Sequence, residues 1–591
     1  DVDRTSYLLI LGANPLVSNG SLMTAPNMRD RIRRLRARGG RVVVVDPRRT
    51  RTAEEADEHL FIHPGTDAFF LFALAHTLFA EGLVQPGRLG EHLNGLDEVE
   101  RLAHAFAPEV VAPICRVAPD VIRRLAHELA AADRAAVYGR IGTCTQEFGT
   151  LASWLVDVLN VLTGNLDRAG GALFPRAAAG ARNTEGVPGR GAGVRLGQRH
   201  SRVRGLPAVY GELPVVALAE EILTPGDGQI RALVTIAGNP VLSTPNSGQL
   251  AQAFGQLDFM LSVDVYLNET TRHAHVILPP PSPLERGHYD LAFYQLSVRN
   301  IARYSPAIFA AASGHPQEWE ILLRLTGIVA GQGAAADPAA LDDVMAQQLI
   351  RRETKREGSR VAGHDPAELL AALAPRRGPE RLLDFMLRTG PYGDGFAGGP
   401  DGQGLTLAAL EAAPHGRDLG PLQPRIPEVL RTPSGKVELA PPAIVADVAR
   451  LQGALAARPA EQLVLIGRRE LRSNNSWMHN LRTLTKGAET CLLLVHPDDA
   501  RRLGLADGAN ARVTSASGCA EAPVRVTDAI MPGVVSLPHG WGHDAPGTQL
   551  RVAADHPGAN VNALTGELAV DPLSGNAILN GVAVTVAPAR A

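Results

Sequence analysis

Short runs of consecutive apolar residues, separated by turn-forming clusters, dominate the first third of the chain. The run Tyr7-Leu8-Leu9-Ile10-Leu11 ends in Gly12-Ala13-Asn14-Pro15, the pattern of a buried strand followed by a loop. Met28, Ile32 and Leu35 recur at helical spacing within residues 26–38, and Gly39-Gly40 follows as a stop signal. Val42-Val43-Val44-Val45 reads as a strand buried on both faces, and it delivers Asp46-Pro47-Arg48 at its carboxyl end. Leu60-Phe61-Ile62 likewise delivers His63-Pro64-Gly65-Thr66-Asp67. Leu151, Trp154, Leu155, Val158 and Leu162 mark one face of a helix that stops at Thr163-Gly164-Asn165, ahead of a Gly170-Gly171 turn. The expectation is a parallel α/β sheet whose polar loops gather at the edge where such sheets bind ligands.

The pattern then repeats. Leu9-Ile10-Leu11-Gly12-Ala13-Asn14-Pro15 returns as Val234-Thr235-Ile236-Ala237-Gly238-Asn239-Pro240, and the strand ending in Asp46 returns as Leu261-Ser262-Val263-Asp264. Thr52, Ala53, Ile62 and Pro64 of the first copy are matched in order by Thr271, Ala274, Ile277 and Pro279. The offsets drift too much for a solenoid and suit two related lobes with different loop lengths. Residues 310–459 are rich in Ala, Gly, Pro and Arg, with helical stretches at 316–329 and 366–373, and read as peripheral helices and loops. Beyond residue 463, Val-rich runs alternate with the turn signals Asp507-Gly508, Ser517-Gly518 and Met531-Pro532-Gly533, after a short helix at 496–504; a compact β-barrel is expected. The domain reading is a first α/β lobe at 1–175, a second at 176–310, a helical and loop region at 311–460, and the barrel at 461–591.

Composition narrows the function. The 591 residues are 45% hydrophobic and 20% charged with a net charge of −3, which disfavours a nucleic-acid partner. Four scattered cysteines make neither a disulfide framework nor a zinc or iron–sulfur site, and no metal ligands are assigned. No apolar run approaches the ~20 residues of a membrane span. The chain opens on Asp1 and reaches a strand at once, so a truncated or mature piece is expected, of cytoplasmic location unless a lost leader directs export to the periplasm.

Gly12 and Asp46 suit a phosphate-binding loop and a ribose-binding carboxylate, yet the GxGxxG fingerprint of nicotinamide enzymes is absent. An isolated Asn-Pro loop is ordinarily a turn; two copies at equivalent strand ends point to two similar ligands or one ligand with two nucleotide arms. Trp477 and Met478 among Asn474, Asn475, Ser476 and His479 suggest a partly buried loop closing over something polar. His539-Gly540-Trp541-Gly542-His543 lacks the supporting ligands of a metal site, and an indole stacked on a flat heterocycle suits it as well. Arg176 follows the Gly170-Gly171 turn, with Arg182 and Arg190 beyond it.

Taken in order, these motifs, together with Asp571-Pro572-Leu573-Ser574-Gly575, resemble the molybdopterin oxidoreductase family, which includes dimethyl sulfoxide reductases, formate dehydrogenases and periplasmic nitrate reductases. The resemblance implies two parallel-sheet lobes and a carboxyl-terminal double-psi-like β-barrel around bis-molybdopterin guanine dinucleotide carrying Mo or W. It implies that Gly12, Asn14, Asp46, Arg48, Gly65 and Asp67 hold one dinucleotide and Gly238, Asn239, Pro240 and Asp264 the other. Asn474, Ser476, His479, His539, Trp541 and Asn562 would close over the pterins, with Arg176 as a catalytic group beside the metal. A [4Fe–4S] cluster is expected only in a segment ahead of this chain. A small-molecule substrate undergoing two-electron chemistry and an electron-transfer partner protein or subunit complete the expectation. The alternative is a structural subunit that keeps the fold without the metal, as in respiratory complex I.

Overall fold

The structure is a computed structural model that describes residues 1–18, 20–180, 196–396, 404–456 and 462–589; Arg182 and Arg190 lie outside the described residues. In the first lobe, β1 (Tyr7–Leu11), β2 (Arg41–Val45), β3 (Glu58–Leu60) and β4 (Ala135–Gly139) form an all-parallel sheet in the order β3-β2-β1-β4. Side chains alternate across the pleat. Tyr7, Leu9, Leu11, Val43 and Val45 join one core with α2 (Asp67–Ala80) and α3 (Gly149–Leu162), while Leu8, Ile10, Val42 and Val44 pack under α1 (Met28–Ala37) on the other face. Double coverage explains the unbroken apolar runs, since a strand with helices on both sides has no face left for polar residues.

Two elements of this lobe carry little signal in the sequence. Helix α2 is buried almost all round, so its Phe69 to Ala75 stretch lacks helical periodicity. Strand β4 is five residues, Ala-Ala-Val-Tyr-Gly, and joins the outer side of β1. The expected strand at residues 60–62 pairs two residues earlier, at 58–60, because Phe61 turns instead toward the barrel residues Ile466 and Ile530.

The second lobe repeats the arrangement in brief. Strands β5 (Ala232–Ile236), β6 (Phe259–Val263) and β7 (Val276–Ile277) are parallel in the order β7-β6-β5, with α4 (Ser247–Phe254) against them. Helices fill much of the region before the barrel, and the one at Pro442–Gly453 inserts Val448 and Leu451 into the first lobe's core. The carboxyl-terminal domain is a closed barrel of β8 (Leu463–Arg468), β9 (Leu493–Val495), β10 (Asn510–Thr514), β11 (Cys519–Val526), β12 (Val534–Pro538) and β13 (Val582–Pro588) in the order β8-β12-β9-β11-β10-β13. Its interior holds Leu465, Leu493, Val495, Val513, Val524, Val535 and Leu537, and closure leaves no strand edge unpaired.

Candidate functional site

The first half-site lies at the carboxyl ends of the first lobe's strands, under the barrel. β1 runs into Gly12 at φ +54, whose N–H donates to Val45 O at 3.1 Å. A Cβ here would come within 2.8 Å of Thr143 N, so only glycine lets these two loops meet. The Asn14 amide oxygen accepts from Thr52 Oγ1 at 2.8 Å, and that hydroxyl accepts from Leu16 N–H. Asp46 accepts from the Arg48 N–H at 2.9 Å. Asp67 opens α2 and accepts from Gln146 Nε2 at 2.9 Å, while Gln146 Oε1 stays buried with no hydrogen-bond partner. Burial pushes both carboxyls up to about 6, against the pull of Arg48 at Asp46 and of Gln146 at Asp67. No ion pair to either is formed among the described residues.

The barrel contributes Arg468, Arg469, His539, Asn562, Thr565 and Asn580 to this half-site, and the cavity between lobe and barrel is about 370 Å³. Arg468 is structural: it donates to the carbonyls of Thr490, Leu492 and Ser536 and to Glu470. Arg469 has no ion-pair partner among the described residues; desolvation lowers its pKa. Burial, with Arg469 adding, pushes His539 down to about 4, so it is a neutral imidazole at pH 7.

The second half-site repeats the first with one shift. Ala237, not Gly238, takes the left-handed conformation of Gly12, at φ +51, and donates to Val263 O at 2.9 Å. Thr270, not Thr271, is the partner of Asn239: its hydroxyl donates to Asn239 Oδ1 at 2.7 Å and accepts from Val241 N–H. Asp264 accepts from Tyr266 N–H as Asp46 does from Arg48. A cavity of about 250 Å³ lies between the residues after β5 and the barrel, lined by Gly238, Asn239, Ser243, Asn475, Ser476, Trp477, His539 and Gly540. A Cβ on Gly540 would come within 2.2 Å of Asn475 O, so glycine here seats the loop. His539 lines both cavities.

The structure therefore brings Gly12, Asn14, Asp46, Arg48, Gly65, Asp67 and Asn562 to the first cavity, Gly238, Asn239 and Ser476 to the second, and His539 to both. Six expected residues line neither. Pro240 starts a short helical turn, Asn474 precedes the loop tip at φ +41, and Arg176 is exposed with its N–H donating to Asn300 Oδ1. Asp264 is occupied by its own loop, through Tyr266 N–H and the Asn268 amide. His479 and Trp541 are buried against each other, ring centroids 3.8 Å apart, so the indole stacks on an internal imidazole. Reading the sequence missed Arg140 and Thr145, which follow the unrecognised β4, as well as Arg469 and Asn580. Among the described residues no three His, Cys, Asp or Glu side chains gather as a metal site.

Residues 1–324 match the profile of the molybdopterin oxidoreductase family, and residues 463–583 match that of the molydopterin dinucleotide binding domain. The F420-dependent formate dehydrogenase subunit alpha of Methanocaldococcus jannaschii is 26% identical over 286 residues, covering 47% of this chain and 41% of that protein. A nitrate reductase of Symbiobacterium thermophilum is 25% identical over 575 residues, 91% of this chain and 69% of that protein. The chain spans less than half the length of the formate dehydrogenase subunits it matches. The solved structure of acetylene hydratase from Pelobacter acetylenicus shares the fold, with a TM-score of 0.72 at 18% identity, over 100% of this chain and 78% of that one.

Proposed function

The chain belongs to the molybdopterin oxidoreductase family, and we propose that it is the catalytic subunit's cradle for bis-molybdopterin guanine dinucleotide with Mo or W, one dinucleotide tail in each half-site. The observation that carries this reading is the pair of half-sites: equivalent strand ends of two related lobes, closed by one barrel and meeting at His539. The donor set fits. Asp46 and Asp67 are recessed carboxylates without a cation at ion-pair distance among the described residues, and guanine and ribose present the N–H and O–H donors such groups need. Arg140 and Arg469 line the same cavity and suit a pyrophosphate. In the second half-site Gly238, Asn239 and Ser476 would face the other tail.

The bound metal would supply two-electron exchange with a small substrate. The protein residues orient the tails, exclude water and keep His539 neutral between them. An electron-transfer partner and a [4Fe–4S] cluster carried on polypeptide outside these residues belong to the same reading. Full-length protein, purified from a host that makes the cofactor, should release two GMP per Mo or W on acid hydrolysis. Protein containing neither metal nor GMP overturns the reading and favours a structural subunit. Asp46→Ala and Asp67→Ala should each lower cofactor content, since a charge-assisted hydrogen bond contributes ~1.5–3 kcal/mol; wild-type content in both would remove these residues from the site.

A further inference from the structure

Behind the second cavity, a file of buried side chains runs from the lobe to the barrel, beside the backbone bond from Gln549 N–H to Leu267 O. Ser473 Oγ lies 2.8 Å from His479 Nε2, His479 Nδ1 lies 2.9 Å from His543 Nε2, and His543 Nδ1 lies 2.9 Å from Glu269 Oε1. The other Glu269 oxygen accepts from Asn239 Nδ2 at 2.8 Å. Ser473, His479, His543 and Glu269 are each at most 4% exposed, and Trp541 covers one face of the His479 ring. A carboxylate only accepts, so His543 Nδ1–H donates to Glu269. A file running the same way throughout has His479 donating to His543 and Ser473 donating to His479. The two ends meet different walls of the second cavity. Glu269 holds the amide of Asn239, and Ser473 with His479 brackets the loop that presents Asn475, Ser476 and Trp477.

Among the described residues the first half-site has no such file of buried side chains. Asn14 and Thr52 repeat the Asn239–Thr270 pair, but Arg51, exposed, stands ahead of Thr52 where Glu269 stands ahead of Thr270. The two cradles are thus alike in backbone and unlike in how the barrel grips them.

We propose that Glu269, His543, His479 and Ser473 are positioning residues of the second half-site, a buried hydrogen-bond relay by which the barrel locks the Asn239 turn and the 475–477 loop into one unit, leaving the first half-site independent of it. As a statement about tail binding this rests on the two-tail reading above; as a statement about the two walls it stands on the geometry alone.

Two measurements separate these levels. Hydrogen–deuterium exchange on the ligand-free full chain should show residues 238–243 and 475–480 losing protection together in Glu269→Gln and in His543→Phe, with residues 46–50 and 65–67 unchanged. His543→Gln, able to donate to Glu269 and accept from His479, should restore it, and Ser473→Ala, which removes one terminal hydroxyl, should loosen the 475–480 segment without unfolding the chain. Calorimetric titration with guanosine 5′-diphosphate should then give two sites in wild type. In Glu269→Gln one of them weakens at least tenfold while the other stays within twofold, and Arg51→Ala changes neither. If the two segments respond separately in Glu269→Gln or in His543→Phe, if all loops loosen equally, or if His543→Phe and His543→Gln behave alike, the relay proposal is overturned. A wild-type chain that binds no guanosine diphosphate counts against the two-tail reading, and the exchange data still decide the relay.

Discussion

Gly12 and Ala237 occupy the same left-handed turn, at φ +54 and +51, with different side chains. At Gly12 a Cβ meets the backbone of Gly142 and Thr143, so Gly12→Ala adds a clash to left-handed strain and should destabilise by about 1–3 kcal/mol in urea denaturation. Ala237 already bears that strain, and Ala237→Gly should be neutral or stabilising by up to ~1 kcal/mol. Asp67 presents the complementary case. Its carboxyl is raised to about 6 by burial, so its cost is absent below the unfolded value of 3.8 and is complete above pH 6. Asp67→Asn should therefore raise the ligand-free stability at pH 7 by roughly 1–3 kcal/mol while lowering cofactor content. A stability gain without loss of cofactor would make Asp67 a structural residue.

Helix α3 shows how the barrel is fastened to the first lobe. Asp571 accepts from both the N–H and the hydroxyl of Thr150, at 2.8 and 2.7 Å, in the first turn of that helix, and also from the N–H groups of Leu573 and Ser574. One carboxylate thus caps a helix in one domain and a turn in another. Asp571→Ala should cost about 1–3 kcal/mol, read as a lower urea midpoint by tryptophan fluorescence. Unchanged stability would mean that water replaces these bonds without penalty. The motif Asp571-Pro572-Leu573-Ser574-Gly575 was visible in the sequence; its partner on α3, 421 residues earlier, was not.

Across the whole molecule, buried histidines and buried acids pull stability in opposite directions with pH. Burial, together with His543 and His539, pushes His479 down to about 3 despite the nearby Glu269, and His539 is at about 4. Both are neutral in the folded chain, whereas an unfolded histidine takes up a proton near 6.5. Their contribution is complete above pH 6.5 and is lost progressively as pH falls toward 4 and 3. Asp46 and Asp67 give the opposite trend between pH 6 and 4, since protonation relieves their burial. Acidification from pH 7 to 5 should therefore lower the urea midpoint more steeply in Asp67→Asn than in wild type; a parallel decline in the two would show that Asp67 does not titrate in this window.

The sequence by itself determined the elements whose signal is local: the apolar runs of β1, β2, β5 and β6, the helix α1, the turns of the barrel, and the doubling of an Asn-Pro loop with an Asp at the next strand end. These follow from backbone chemistry within a few residues of each position. Helix α2 and strand β4 escaped because full burial erases helical periodicity and the five-residue run Ala-Ala-Val-Tyr-Gly makes a weak strand signal. Only the tertiary structure decided which side chains face a cavity. Asp46 and Asp264 sit in matching turns, yet Asp46 lines the first cavity while Asp264 is absorbed by Asn268. His479, His543 and Glu269 come from positions 64 and 274 residues apart, and their contact depends on how the barrel packs on the second lobe. That docking is a property of whole surfaces, which no local pattern of apolar and polar positions encodes.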